Sequence, residues 1–135
     1  MALAVWDLED LSPMEHGLVG MGEILSGQVM AGLAQNPAFQ MVERQQLLKA
    51  IEELHLASSD LADPETRLRL GRIIGARQMV FGAFQVIGPN LRLDLRRVDV
   101  ASGRILKTSS ATAAAADLNL CLSAAEDAAT ALIAR

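Results

Sequence analysis

The segment Met79–Phe84 contains no polar side chain. A short apolar run that includes valine and phenylalanine and is followed by the turn-forming residues 88–90 is typical of a strand buried on both faces. Such a strand lies in the middle of a sheet. We therefore predict a sheet with this segment at its centre and place the other elements around it.

Four further strands are predicted from apolar or alternating segments. They are Leu3–Leu8, Phe39–Glu43, Leu91–Val100 and Arg104–Ala111. In the third of these, leucines alternate with charged residues until the apolar positions change phase, as one inserted residue would cause. We therefore predict a β-bulge near Arg96–Arg97. The last strand is more polar, which is typical of a sheet edge.

Helical segments are predicted where apolar residues recur at a spacing of three and four. The first begins at Met21 and ends at Pro37, the second runs from Arg44 to Leu54, the third begins at Asp63-Pro64 and ends at Gly75, and the fourth begins at Asp117. Between the second and third helices we predict a loop over 58–62. The apolar residues predicted for the buried face of the last helix are Leu118, Leu122, Ala125, Ala129, Leu132 and Ile133.

The order of elements is therefore β-α-β-α-α-β-β-β-α. Right-handed crossovers place the first helix on one side of the sheet and the second and third on the other. We predict a single α/β domain over 1–135, with three α/β/α layers and a mixed five-stranded sheet. The expected strand order is 2-1-3-4-5, with strand 4 antiparallel to the rest.

Charge is segregated along the chain. Residues 1–66 contain eleven acidic and two basic residues, a balance of −9, whereas residues 67–107 contain nine basic and two acidic residues, a balance of +7. The net charge of −4 and the absence of tyrosine argue against a nucleic-acid partner. No apolar run approaches the roughly 20 residues of a transmembrane helix. The lone Cys121 allows no internal disulfide, and no metal-ligand spacing is present.

Several stretches resemble the domain of CsgG-like curli-secretion lipoproteins and their relatives, including the amino-terminal domain of TolB. They are 4–10, 41–47, 70–76, 80–82 and 95–103. The resemblance implies a fold like that of the anticodon-binding domain. It also implies a non-catalytic envelope protein without cofactor, which acts in assembly or secretion through contacts with envelope proteins or with itself.

The same resemblance implies the periplasm, or the periplasmic face of the outer membrane, as the compartment. The start of the chain, Met1–Trp6, lacks the basic region and cleavage site of a signal peptide and the lipidated cysteine of a lipoprotein. A domain trimmed at its boundary is expected to look like this. A cytoplasmic protein is expected to look the same, so the cytoplasm stays open at this point.

Two groups of charged residues are the candidate sites for protein contacts. The acidic group is Asp7, Glu9, Asp10 and Glu15, and the basic group is Arg92, Arg96, Arg97 and Arg104. Opposite charges at two ends of a domain favour head-to-tail association, because they orient the partners as they approach. We therefore predict that these residues guide self-association or binding to another envelope protein.

An alternative uses the loop after the first strand. Asp10 and the glycines over 17–22 follow a parallel strand and precede a helix, a place where open α/β sheets bind ligands. This reading predicts a small-ligand or nucleotide-binding regulatory domain. However, the glycines do not have the spacing of a dinucleotide or P-loop motif. No nucleophile and base fall in an interpretable pattern, so we do not predict an enzyme.

Overall fold

A computed structural model describes residues 1–13 and 17–134. The strands are β1 (Ala2–Val5), β2 (Glu9–Asp10), β3 (Gln40–Met41), β4 (Gln78–Ile87), β5 (Asn90–Asp99) and β6 (Ile105–Ala114). The helices are α1 (Met21–Ala34), α2 (Arg44–Glu53), α3 (Ser58–Leu61), α4 (Pro64–Ile73) and α5 (Leu118–Ile133).

The predicted sheet is confirmed. Its main path is β3-β1-β4-β5-β6, which is the order 2-1-3-4-5 of the five predicted strands. β1 is parallel to β3 and β4, whereas β5 is antiparallel to β4 and β6. Met79 and Val80 of the central strand are fully buried on opposite faces.

The first predicted strand is interrupted, which adds a sixth strand to the sheet. β1 ends at Val5, and β2 resumes the parallel pairing with β4, opposite Ala83 and Phe84. Between them the backbone N–H of Leu8 donates to the Ser26 hydroxyl at 2.9 Å. Leu8 is thus tied to α1 by a side chain, so the continuous strand predicted over Leu3–Leu8 was wrong.

The predicted β-bulge is present beside Arg97, but the inserted residue belongs to β6 and not to β5. Arg97 pairs with Lys107 and Val98 pairs with Ile105, so the extra residue is Leu106 of β6. β5 pairs with β4 without interruption. The apolar phase changes in β5 for another reason: its leucines face α1 and α5, whereas Val98 packs into the cluster on the opposite face.

Helices cover both faces, which confirms the three layers. α1 and α5 pack on the first face, and α2 and α4 contribute to the clusters on the second face. Asp63 caps α4 as predicted, since its carboxylate accepts from the backbone N–H of Glu65 at 3.1 Å. The predicted loop over 58–62 contains the short helix α3, whose start is held because Asp60 accepts from the Ala57 N–H at 2.9 Å.

The buried face of α5 consists mainly of alanines. Its buried residues are Cys121, Ala124, Ala125, Ala128, Ala129 and Leu132. The prediction was wrong for Leu118, whose side chain is exposed at the first turn. Small residues are favoured because α1 and α5 approach closely: a Cβ atom on Gly32 would lie only 2.9 Å from the Cβ atom of Ala129. Helix periodicity that counts leucines misses such an interface.

Candidate protein-contact surfaces

The predicted acidic residues lie around the carboxyl end of β1 and in β2. Asp7 accepts two hydrogen bonds from Arg44 Nε and one from Arg44 Nη2, the last at 2.7 Å. These bonds raise the pKa of the Arg44 guanidinium. Glu23 lies 3.6 Å from the same Arg44 Nη2. Asp7 is therefore committed to an ion pair within the chain.

Glu9 and Asp10 also have partners within the chain. Glu9 forms an ion pair with Arg67 of α4. Asp10 accepts from the backbone N–H of Ser12 at 2.9 Å, and the Ser12 hydroxyl in turn accepts from the N–H of Val86 in β4 at 2.8 Å. These bonds fasten the loop that follows β2 to the central strand.

One member of the acidic group lies outside the described residues. Glu15 falls within 14–16, so its predicted contact role stays a prediction.

The basic group does not form one patch. Arg92 and Arg96 share a face of β5. Arg92 pairs with Asp94 at 3.1 Å, which raises the pKa of the Arg92 guanidinium. Arg97 points to the other face, where Nη1 donates to the Gln78 side chain at 2.9 Å and Nε donates to the Leu132 carbonyl at 3.3 Å.

Arg104 lies in the turn before β6, beside Asp99. The hydroxyl and the backbone N–H of Ser102 donate to the Asp99 carboxylate at 2.7 and 2.9 Å. The hydroxyl bond is the main cause that lowers the pKa of Asp99, with smaller help from the charges of Arg77 and Arg104. Like Arg96, Arg104 has no carboxylate within 4.0 Å among the residues that the structure describes.

The outer edge of β6 is a contact surface that the charge pattern does not reveal. The N–H of Ala115 donates to the Pro89 carbonyl, which sets the alternation of the antiparallel ladder. Odd-numbered residues from 107 onward therefore bond to β5, and even-numbered residues direct their backbone N–H and C=O groups away from it. We call Thr108, Ser110 and Thr112, which are exposed, the β6 edge.

Beyond the bulge at Leu106, the β6 edge lacks two of the usual protections of an edge strand. The sequence from Thr108 to Ala116 contains no charged residue and no proline, two devices by which edges are kept from pairing. Lys107, immediately before this segment, donates to the Ala134 carbonyl on the α5 side. The sequence predicted a polar edge strand here but not which residues present their backbone groups.

The loop after β2 borders a cleft of about 510 Å³. Leu8, Asp10, Gly20, Gly22 and Phe84 are among its lining residues. The ligand-binding alternative would use this cleft, and it stays a prediction.

The described part of the chain has neither a metal-binding cluster nor a helix that could cross a membrane. In 1–13 and 17–134, no three His, Cys, Asp or Glu side chains are grouped so that they could hold a metal ion. None of the helices described is both long enough and apolar enough to cross a membrane. Cys121 is fully buried, and burial raises the pKa of its thiol.

The chain matches a known family over most of its length. The family is described as curli production assembly/transport component CsgG, and its profile matches residues 2–92. A comparison with curated proteins found no significant match in sequence.

Solved structures share the fold. The LpoB C-terminal domain from Salmonella enterica superposes with a TM-score of 0.68 at 21% identity, over 84% of this chain and 82% of that chain. Lipoprotein GNA1162 from Neisseria meningitidis gives 0.67 at 18% identity, over 93% and 94% of the two chains. The PelC dodecamer from Paraburkholderia phytofirmans gives 0.66 at 14%, over 99% and 88%.

The predicted similarity to TolB is also confirmed for the fold. TolB from Acinetobacter baumannii gives a TM-score of 0.54 at 13% identity, over 94% of this chain and 26% of the TolB chain.

Proposed function

Because the chain belongs to the CsgG family, we propose that it is a non-catalytic domain of the bacterial envelope that scaffolds assembly or secretion through protein–protein contacts. We place it in the periplasm or at the periplasmic face of the outer membrane. Its similarity in fold to lipoprotein GNA1162 supports that compartment.

The observation that carries the proposal is the β6 edge. Thr108, Ser110 and Thr112 offer three N–H and three C=O groups in a row, and an extended segment from another chain satisfies such a row by extending the sheet. The hydroxyl side chains of the three residues favour pairing with a strand that carries threonine or serine. A contact of this kind needs no catalytic group and no cofactor.

The second copy of this chain is the partner that the charge distribution favours. The sheet order places β3 and β1, from the acidic part of the sequence, at one end, and places β5, with its arginines, next to β6 at the other end. If β3 of one copy pairs with the β6 edge of the next copy, the acidic region of the first lies beside the basic region of the second. A heterologous contact of this type builds rings or filaments.

The charged residues predicted from the sequence differ in how available they are for contacts between copies. Asp7, Glu9 and Arg97 already have partners within the chain, so an intermolecular pair would compete with an internal one. Among the described residues, Arg96 and Arg104 have no carboxylate within 4.0 Å, so in the basic group they are the arginines best suited to guide an acidic partner. The similar fold of the PelC dodecamer supports self-association.

Light scattering across a wide range of protein concentration tests the proposal. We expect assemblies that grow with concentration and weaken at high salt, because screening shortens the reach of surface charges. Arg104→Glu should weaken assembly. Lys49→Glu makes the same charge change on α2, at the acidic end, and should not weaken it. A monomer at every concentration, at low and at high salt, would contradict self-association.

A further inference from the structure

A cleft on the second face of the sheet separates the end of β1 from α3 and α4. Its volume is about 520 Å³, and its lining residues include Trp6, Glu9, Ser58, Leu61, Arg67 and Arg96. We call it the arginine cleft. It brings together one residue of the acidic group and one residue of the basic group that the sequence analysis singled out.

Arg67 is fixed within the cleft. Its Nε donates to the Leu61 carbonyl at 2.6 Å, and its Nη2 binds Glu9. The guanidinium lies 5.4 Å from the ring centroid of Trp6 and 5.8 Å from that of Phe81, distances at which a cation is attracted to an aromatic face. The side chain is only 13% exposed. Arg67 is therefore a preorganised positive charge whose carboxylate partner is Glu9.

Arg96 approaches the same aromatic ring from the open part of the sheet. Its guanidinium lies 5.3 Å from the Phe81 centroid, and its side chain is exposed. In 1–13 and 17–134, no carboxylate lies within 4.0 Å of it. The arginine cleft thus holds two guanidinium groups and one carboxylate, which leaves one uncompensated positive charge at Arg96.

We infer that the arginine cleft binds a carboxylate side chain from an acidic segment of a partner protein. This inference rests on the proposed function, because it names the chemistry of the partner. The planar guanidinium fork matches the two oxygens of a carboxylate. A surplus of one positive charge matches a singly charged carboxylate better than a phosphate dianion. Trp6 and Leu61 supply apolar walls for the methylene groups of a glutamate.

The only tryptophan of the chain, Trp6, lines the arginine cleft, so its fluorescence reports occupancy. The probe is a peptide of alternating glutamate and serine, and its matched control replaces each glutamate by glutamine. We expect a saturable change of Trp6 emission with the glutamate peptide alone, confirmed by anisotropy of the labelled peptide. The affinity should fall as sodium chloride is added.

Two arginine variants locate the site. Arg96→Gln should weaken binding roughly tenfold, because it removes a charge-assisted hydrogen bond to the ligand. Arg92→Gln is the matched control, since Arg92 lies on the same face of β5 but is paired with Asp94. It should change the affinity less than about twofold.

Several results would overturn the inference. They are an absence of binding by both measurements, equal binding of the two peptides, or unchanged binding to Arg96→Gln. Inorganic phosphate that competes with the peptide more strongly than acetate would assign the cleft to phosphate instead. None of the lining residues belongs to the β6 edge. A failure here is therefore distinguishable from a failure of the assembly test, which depends on β6.

Discussion

Arg44, at the start of α2, binds both carboxylate oxygens of Asp7, with an Nε–Oδ1 distance of 3.0 Å and an Nη2–Oδ2 distance of 2.7 Å. The pair joins the end of β1 to α2 across 37 positions of sequence. It therefore locks part of the acidic group into the fold. The acidic end of the domain is less available to a partner than its charge count suggests.

A double-mutant cycle measures this pair. Asp7→Asn and Arg44→Gln should each lower the free energy of unfolding, and the coupling energy should be about 0.5–1 kcal/mol, since both side chains are more than a third exposed and solvent screens the pair. Urea unfolding of the wild type, both single variants and the double variant gives the value. A coupling energy of zero would mean that the pair adds no stability.

Close backbone packing at the centre of the sheet gives a second prediction. A Cβ atom on Gly82 would lie 2.6 Å from both the Asp94 carbonyl oxygen and Leu95 Cδ2. Gly82→Ala should therefore lower the free energy of unfolding by about 1–3 kcal/mol. Gly27→Ala, in α1, is the control, because a Cβ atom there has no contact within 4 Å.

The Gly27→Ala control should not lower the free energy of unfolding. Alanine is favoured over glycine inside a helix by roughly 0.5–1 kcal/mol, so Gly27→Ala should leave stability unchanged or raise it. Equal loss of stability in both variants would contradict the account of Gly82 packing.

A third prediction concerns the pKa of Asp99 and the stability of the fold at low pH. Hydrogen bonds from Ser102 lower the pKa of Asp99 below its reference value of 3.8. A carboxyl whose pKa is lower in the folded state stabilises the fold above the unfolded pKa, and this contribution is lost as the pH falls through the folded pKa. Ser102→Ala should raise the pKa of Asp99 toward 3.8, measured by NMR titration. Ser110→Ala, in β6, should leave it unchanged.

The ligand-binding alternative has a direct test. A thermal-shift screen with nucleotides, Mg²⁺ and glycan fragments should give no reproducible shift if the domain acts through protein contacts alone. A shift that Asp10→Ala abolishes would favour a ligand site at the loop after β2. Asp10→Ala also removes the bond from the Ser12 N–H that holds this loop. Ser12→Ala is the control, because it loosens the same loop by removing the hydroxyl that accepts from the Val86 N–H.

The strand order of the sheet could be predicted from the sequence, because it follows mainly from one short apolar segment. Met79–Phe84 has no polar side chain, so it has to be central, and the handedness of crossovers then fixes its neighbours. The exposure of Leu118 and the interruption after Val5 were not predictable from the apolar pattern. Leu118 fits the helical spacing but lies in the exposed first turn of α5, and the interruption involves a bond to the Ser26 hydroxyl.

The contact surfaces were harder to predict than the fold. Charge counts identify Glu9 and Arg96. They do not show that Arg67 binds Glu9, or that Arg67 and Arg96 both lie near the Phe81 ring. Glu9 and Arg67 are 58 positions apart, and a periodic pattern gives the face of an element but not its partner. The β6 edge depends on hydrogen-bond alternation, which only the register shows.

The most direct test of the account is a single substitution at the β6 edge. Ser110→Pro removes an outward N–H, while the bonds to β5 come from the odd-numbered neighbours, and proline is tolerated where the N–H of an edge strand faces solvent. Ser110→Ala keeps the N–H and serves as the control. Both should remain folded by circular dichroism.

Light scattering combined with amide hydrogen exchange at Thr108 and Thr112 then gives the answer. We predict pairing through the β6 edge, so that the wild type and Ser110→Ala assemble with slowed exchange at both amides, whereas Ser110→Pro stays monomeric. Assembly of folded Ser110→Pro to the same extent as the wild type, or fast exchange of both amides in the wild-type assembly, would contradict it.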